Sequence, residues 1–425
     1  MKNSLFGFLI LFLISPFLHS QEFEASLQLR PRLEYRNGFK TLLDRQQEAI
    51  TFVSQRSRIQ LGFNNEALSL RFSLQNVRTW GDVSPVTTFD KNGVAVFEAY
   101  AQYRVNDRVF VRLGRQILSY DNQRILGGLD WAQQGQSHDA MLINIDPAAN
   151  HKFQLVGALN EDGEDLFSNP YLVNTYKNLQ LAHYNIKMGT SAVSFMFLNT
   201  GYEFNLDAAT RKTQYIQTFG SYYTINSGSW FGDLGVYGQT GERAGKDMKA
   251  FYAGGNMNYR LNGTWAIGAG AEYFSGTKIS EGEGSNRSFS PLFGTNHGFN
   301  GTMDYFYVGN HFNSVGLKDL YGKLSFRINQ AELHVMPHVF YSGVSIVDTE
   351  GNEDSYLGTE IDIFGSHKIR KDLTASLGYS QMFGSNTLEI LKGGDASRTQ
   401  NWAWVMISFH PQLFSVSKNI KEPLL

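Results

Sequence analysis

From Ser26 to the end of the chain, segments of about ten residues alternate polar and apolar side chains, and the connections joining them alternate between long and short. In Leu68 to Val77, Leu68, Leu70, Phe72 and Leu74 point one way while Ser69, Arg71, Ser73 and Gln75 point the other. Ala95 to Val105 sets Ala95, Phe97, Ala99, Ala101, Tyr103 and Val105 against Glu98, Tyr100, Gln102 and Arg104, and Ala250 to Leu261 repeats the pattern. A period of two belongs to a strand with unlike faces, and about ten residues is the length of a tilted strand crossing a bilayer. A half-buried sheet of a soluble sandwich would alternate in the same way, so the connections have to separate the two cases.

Eight connections are tight-turn sequences: Asn64-Asn65-Glu66, Asn106-Asp107-Arg108, Asp146 to Asn150, Gly189-Thr190, Asn226 to Ser229, Asn262-Gly263, Asn329-Gln330 and Arg370 to Asp372. Asn-Gly is a strong hairpin signal because both residues accept positive φ. Nine are longer, near Asn37 to Ala49, Trp80 to Gly93, Ser119 to Ser137, Asn160 to Asn178, Thr200 to Lys212, Thr240 to Met248, Gly276 to Val315, Ser342 to Asp354 and Gly384 to Thr399. Together they join eighteen strands. A sandwich has no reason to sort its loops by length, whereas outer-membrane barrels have short periplasmic turns and long outer loops. The expected fold is therefore an all-β, transmembrane, antiparallel up-and-down barrel of about eighteen strands, with both termini periplasmic. Closure removes the sheet edges that lipid cannot tolerate. Eighteen strands enclose a lumen too wide for side chains alone to fill. Either loops plug it or something passes through; strands and connections use up the chain, leaving no surplus for a separate globular plug, and an aqueous channel is expected.

Composition fits this reading. Beyond residue 20 no apolar run approaches the ~18 residues of a membrane helix. The 42 Gly, 32 Phe and 21 Tyr with only 18% charged residues suit alternating strands with aromatic girdles at the bilayer interfaces. Zero Cys is compatible with an oxidising compartment and excludes disulfides, thiolate metal sites and a lipid-anchored N-terminal Cys. The first twenty residues differ from the rest: Lys2 opens, Leu5 to Ile14 is apolar around one Gly, and Ser20 precedes Gln21. That is a secretory signal, cleaved after Ser20. Residues 1–20 are thus read as signal peptide and residues 21–425 as the barrel, in contact with outer-membrane lipid.

A net charge of −2 gives no reason to expect nucleic acid as a partner, yet the charge is unevenly spread. Between Gln21 and Arg124 fifteen basic residues, thirteen of them Arg, stand against eleven acidic ones, and the remainder of the chain is acidic. On the inferred inward faces Arg56 and Arg58 share one strand, Arg71 lies on the next, Arg104 on the fourth and Arg112 on the fifth. With strands about 4.8 Å apart these form a cationic patch on one wall. Arg pairs bidentately with carboxylates and stays charged, so the patch suits the passage of a carboxylate- or phosphate-bearing solute. The alternative is that these residues pair with Glu98, Glu360 or Asp362 across the lumen and brace the barrel. Glu272, Glu360 and Asp362 also read as inward, so a cationic wall faces an anionic one, an arrangement able to orient dipolar solutes.

Enzymatic readings are weak. Ser137 and His138 are adjacent and point apart along a strand. Glu332, His334 and His338 share a face but spread over about 20 Å, too far for one metal. Gly241 to Lys246 lacks the spacing of a phosphate loop. No catalytic residue, metal or cofactor is expected.

Two stretches go beyond a generic barrel. LGRQILSYDNQRILGGLDWAQQGQSHDAMLI, Leu113 to Ile143, carries a Gly-Arg-Gln strand end, Leu129-Asp130-Trp131 and Ser137-His138-Asp139; PLFGTNHGFNGTMDYF, Pro291 to Phe306, precedes Leu320-Tyr321. Both resemble the alginate-export family of outer-membrane porins across most of the mature chain. The resemblance implies an eighteen-stranded barrel with a cationic constriction passing a polyuronate outward, working with periplasmic export partners. By motif position it places Arg115, Arg124, Asp130 and Asp139 near the constriction, and His297 and Asp304 in the longest outer loop. Read from its strand alone, Arg115 follows Gly114, where a bulge could turn it either way. The expectation is an outer-membrane channel for anionic polysaccharide or acidic oligosaccharides, moving by diffusion along Arg56, Arg58, Arg71, Arg104, Arg112, Arg115 and Arg124. The alternatives are a general or nutrient porin for small, including anionic, solutes and, more distantly, a barrel enzyme or an adhesin using the long loops.

Overall fold

A computed structural model describes residues 21–167, 171, 173, 175–205, 211–278, 285–295, 297–307, 314–348 and 350–418. The signal segment expected at residues 1–20 lies outside the described residues. The strands are β1 Gln21–Asn37, β2 Ile50–Asn64, β3 Leu68–Thr79, β4 Ala95–Asn106, β5 Val109–Gln116 and β6 His138–Ala148. Then come β7 His151–Leu159, β8 Asn178–Met188, β9 Ser191–Asn205, β10 Arg211–Ser227, β11 Trp230–Arg243, β12 Lys246–Arg260 and β13 Trp265–Phe274. The last are β14 Leu317–Ile328, β15 Ala331–Val347, β16 Glu353–Arg370, β17 Leu373–Gly384, β18 Gln400–Phe409 and β19 Gln412–Lys418.

Each strand pairs antiparallel with the next, and β1 closes the sheet by pairing with β2 on one side and β18 and β19 on the other. His410 and Pro411 interrupt the last strand, whose two halves pair with successive parts of β1, so the barrel has eighteen strand positions. The segment after Phe409 is thus a continuation of the wall.

The barrel is inside-out relative to a soluble protein. Leu70 and Phe72 of β3 are 43% and 40% exposed, while Ser73 and Gln75 beside them and Arg56 and Arg58 of the neighbouring β2 are buried. Apolar side chains outward and polar ones inward is the pattern that lipid imposes. Glycines let aromatic rings lie flat on the wall: a Cβ on Gly378 would sit 2.3 Å from the Trp404 indole nitrogen.

One end carries short turns, as expected. At the other end two expectations change. Thr240 to Met248, read as a long loop, is mostly strand: β11 and β12 run on to a two-residue turn at Ala244-Gly245, both at positive φ. And the lumen is not left free. The connection at residues 117–137, here loop 3, and the described residues of the connection at 275–316, here loop 7, fold into the barrel. Loop 3 supplies Leu118, Ile125 and Leu126, and loop 7 supplies Phe289, Met303 and Tyr305, to a packed core with the inward Leu142, Leu181, Leu198 and Ile216. The space is occupied not by a separate globular plug but by ordinary loops bent inward. The other long connection with regular structure, residues 385–399, holds the helix α1 Asn386–Lys392, capped by Ser385 accepting from the Leu388 amide.

Candidate functional site: a loop-lined passage through the barrel

Loops 3 and 7 are joined before either meets the wall. Leu126 and Phe293 form a parallel bridge, with the Gly127 amide donating to the Phe293 carbonyl and the Phe293 amide to the Ile125 carbonyl. Loop 3 makes its bends at Asp121, Gln123, Leu129 and Gly135, all at positive φ. The Asp121 carboxylate fixes the first bend, accepting from Ser194 Oγ (2.5 Å) and Tyr237 OH (3.2 Å) and facing His183 Nε2 at 2.9 Å.

The far end of loop 3 rests on the cationic wall. Arg30 and Arg56 are register partners on β1 and β2. Both reach Asp130, at 3.2 and 2.8 Å, and Arg30 also donates to the carbonyls of Asp130, Trp131 and Ala132. Burial alone would push the Asp130 carboxyl up, but the Arg56 and Arg30 guanidiniums outweigh it and hold it below the ordinary carboxylate value. Its side chain is still 76% exposed, so it faces open lumen. Arg58 donates to Gln75 and lies 3.5 Å over the Phe97 ring; Arg112 donates to Gln102. Arg71 pairs with Glu24 at 3.1 Å and approaches Glu98 at 3.9 Å.

Loop 7 rests on the opposite wall. Glu360 accepts from the Met303 amide at 2.8 Å, and Asp362 from the Thr302 amide and hydroxyl at 3.1 and 2.6 Å. Glu272 on β13 binds Arg124 of loop 3 in a buried ion pair and accepts from Asn300 of loop 7 at 2.6 Å, tying both loops to one strand. Asp319 accepts from Asn300 and lies 2.9 Å from His338 Nδ1. The cationic wall thus holds loop 3, and the anionic wall holds loop 7 and, through Glu272, loop 3 as well. Arg56 pairs with a loop carboxylate, and Glu360 and Asp362 receive loop donors rather than wall arginines.

Three residues stand elsewhere than expected. Arg115 and Asp139 are register partners bonded to each other at 2.7 Å. They share a face with Leu113 and Met141, 62% and 43% exposed, so they point away from the lumen. Gly114, at φ +120°, does not turn the strand over. The motif position was right about the strand end and wrong about the side. Arg104 is exposed two residues from the end of β4 at the short-turn end, apart from the other arginines. Glu332, His334 and His338 do not converge, and among the described residues no group of three or more His, Asp or Glu side chains forms a metal site. His297 and Asp304 do meet, 2.8 Å apart, inside the barrel.

Among the described residues, two cavities border Trp131 and His297. A cleft of about 510 Å³ opens at the long-loop end, lined by Arg32, Arg36, Lys40 and Arg78 together with Glu34, Asp82, Asp304 and Tyr307, Arg78 being paired with Asp90. Glu34 is shared, binding Arg32 and Arg36 at 2.9 and 2.8 Å. A second chamber of about 230 Å³ lies between loop 7 and β15 to β18. Trp131 and His297 line both, so their side chains form the partition. The basic residues of the cleft were missed in the sequence, although Leu29 to Arg36 alternates Arg30, Arg32, Glu34 and Arg36 with Leu33 and Tyr35 and carried the signal.

With this geometry in view, comparison with known proteins places the chain. Among curated proteins none matches it. Three solved structures have the same fold at low identity. OccAB4 of Acinetobacter baumannii superposes with a TM-score of 0.63 and 9% identity, over 94% of this chain and 100% of that one. A BenF-like porin from Pseudomonas fluorescens Pf-5 gives 0.62 and 12%, over 92% and 99%. OpdK of Pseudomonas aeruginosa, solved with vanillate, gives 0.59 and 11%, over 92% and 99%. The family profile for alginate export matches residues 22–403, nearly the whole barrel. The chain belongs to the alginate-export family and is an outer-membrane β-barrel channel.

Proposed function

We propose that this channel passes acidic saccharides, from single uronate-type sugars to short oligomers, by diffusion, with the cleft at the long-loop end as its capture site. The long loops face the cell exterior and both termini the periplasm. The observation that carries this reading is that Arg32, Arg36, Lys40 and Arg78 line one open cleft with aromatic surfaces beside them. Guanidiniums recognise carboxylates in a bidentate way, and ring faces pack against the apolar faces of sugars. Passage of long polyuronate, with periplasmic partners delivering it, requires loops 3 and 7 to move aside.

Cavities of a few hundred Å³ favour a second reading, uptake of small carboxylates, and OpdK, whose structure contains vanillate, shares the fold. Planar bilayers separate the two. Under a salt gradient the reversal potential is expected to show anion preference, reduced in the Arg36→Ala, Lys40→Ala, Arg78→Ala triple variant. Oligouronates are expected to block the current at lower concentration than neutral oligosaccharides of equal length. Cation preference would sink both readings. Block by monomeric carboxylates alone would leave the small-solute one.

A further inference from the structure

We infer that the chamber behind the Trp131–His297 partition is a binding site for a single aromatic ring that carries no negative charge. This does not rest on the solute proposed for the cleft, and its lining differs from the cleft in kind.

Size comes first. A cavity of about 150 Å³ lined by apolar side chains admits benzene. At about 230 Å³ this chamber takes one ring with a small substituent and excludes a disaccharide. Its walls are the side chains of Trp131, Phe299, Met336, Phe364 and Trp404. Trp131 and Trp404 meet edge to face, with centroids 4.8 Å apart and planes at 68°, so a guest ring has a face and an edge to pack against. The unbranched Met336 thioether adapts to a ring edge.

Charge decides which aromatic enters. No Arg or Lys lines the chamber. Arg124, over the Phe299 ring at 3.7 Å, is committed to Glu272. Arg32 lies 4.0 Å from the Trp131 centroid and the His297 ring 4.2 Å from it. Two groups at that distance cannot share one face of a ring, so the indole separates Arg32 from His297 and the chamber. The polar side chains in its lining are Asp362, which accepts from Thr302, the Thr302 and Ser380 hydroxyls, 2.6 Å apart, Asn300, and two imidazoles: His297, held by Asp304, and His338, held by Asp319 with its Nε2 3.7 Å from Asp362. Buried Glu360 is two residues from Asp362 on the same strand face. A hydroxyl or ammonium on the guest finds acceptors here, while a carboxylate would be stripped of water beside Asp362 with no Arg or Lys to receive it and with both lining imidazoles already held by Asp304 and Asp319.

The test uses the full-length barrel in detergent, with phenol, tyramine and benzoate as probes in calorimetric titrations. Phenol and tyramine are expected to bind, and benzoate about tenfold or more weakly. Met336→Trp, which fills the chamber, is expected to abolish phenol binding. A crystal soaked with 4-bromophenol locates the guest independently of any variant, and its bromine is expected between Trp404 and Phe364. Benzoate binding as tightly as phenol, unchanged phenol binding by a folded Met336→Trp barrel, or bromine found only outside the chamber would each overturn the assignment.

Discussion

Trp131 of loop 3 and His297 of loop 7 lie face to face, their ring centroids 4.2 Å apart and their planes within 13° of parallel. The opposite face of the indole carries Arg32, and its edges meet Trp402 and Trp404. His297 is in turn held by Asp304. The stack is the shared wall of the two cavities, so its removal joins them. Trp131→Ala is expected to raise single-channel conductance severalfold in planar bilayers, with Trp131→Phe intermediate. Unchanged conductance in the Ala variant would mean that ions cross the barrel by another route.

Asp130 anchors the end of loop 3 to Arg30 and Arg56. Hydrogen bonds to charged groups contribute about 1.5–3 kcal/mol, and the open lumen beside Asp130 reduces that to about 1 kcal/mol. Asp130→Asn is expected to weaken the docking of loop 3 by that order while leaving the Arg30 and Arg56 guanidiniums without their counter-ion. Faster amide exchange across residues 125–135 and stronger anion selectivity should appear together.

The Arg124–Glu272 pair lies deeper, the Arg124 side chain being only 1% exposed. Removing one partner of a buried pair costs roughly 3–5 kcal/mol because the other charge is left uncompensated. Glu272→Gln is therefore expected to release loops 3 and 7 together, seen as protease cleavage within both while the barrel itself stays folded. The double change Arg124→Met, Glu272→Met should restore much of the protection, since no charge is left stranded.

Acid should act on the same anchors. The folded-state value of Asp130 is depressed below 3.8, so its contribution is complete above that value and disappears as the pH falls through the lower one. Asp395, which holds Arg45 across the outer loops, is lowered to about 2, chiefly by hydrogen bonds from Ser397 and Arg45. Amide protection of loop 3 is expected to persist through pH 3.8 and to fail only below it, and the protection of residues 395–400 to fail near pH 2. The loop 3 step should be absent in Asp130→Asn. A step centred above pH 3.8 would argue that another group releases the loop.

The barrel was legible in the sequence because its signals are local. Alternation within Leu68 to Val77 needs only the two-residue strand period, and the turn at Asn262-Gly263 needs only its own φ preferences. The same rule told which face of β2 carries Arg56 and Arg58. It failed at Arg115, where glycine hid the phase and motif position was used in its place. It also overlooked Arg30, Arg32 and Arg36, which alternate as plainly as the arginines that were noticed.

What those residues touch was not legible. Whether loop 3 hangs over the rim or bends inside depends on Asp130 finding Arg30 and Arg56, and on Arg124 finding Glu272, contacts between residues far apart in the chain. No local period encodes such a meeting, because a loop's path is set by the balance between its own turns and the wall it reaches. The sequence by itself determined a closed eighteen-position wall with polar side chains turned inward and its long connections at one end. The tertiary structure decided that the cationic wall holds loop 3, that the acidic wall holds loop 7 and Arg124 of loop 3, and that one indole stacked on one imidazole stands between the two cavities.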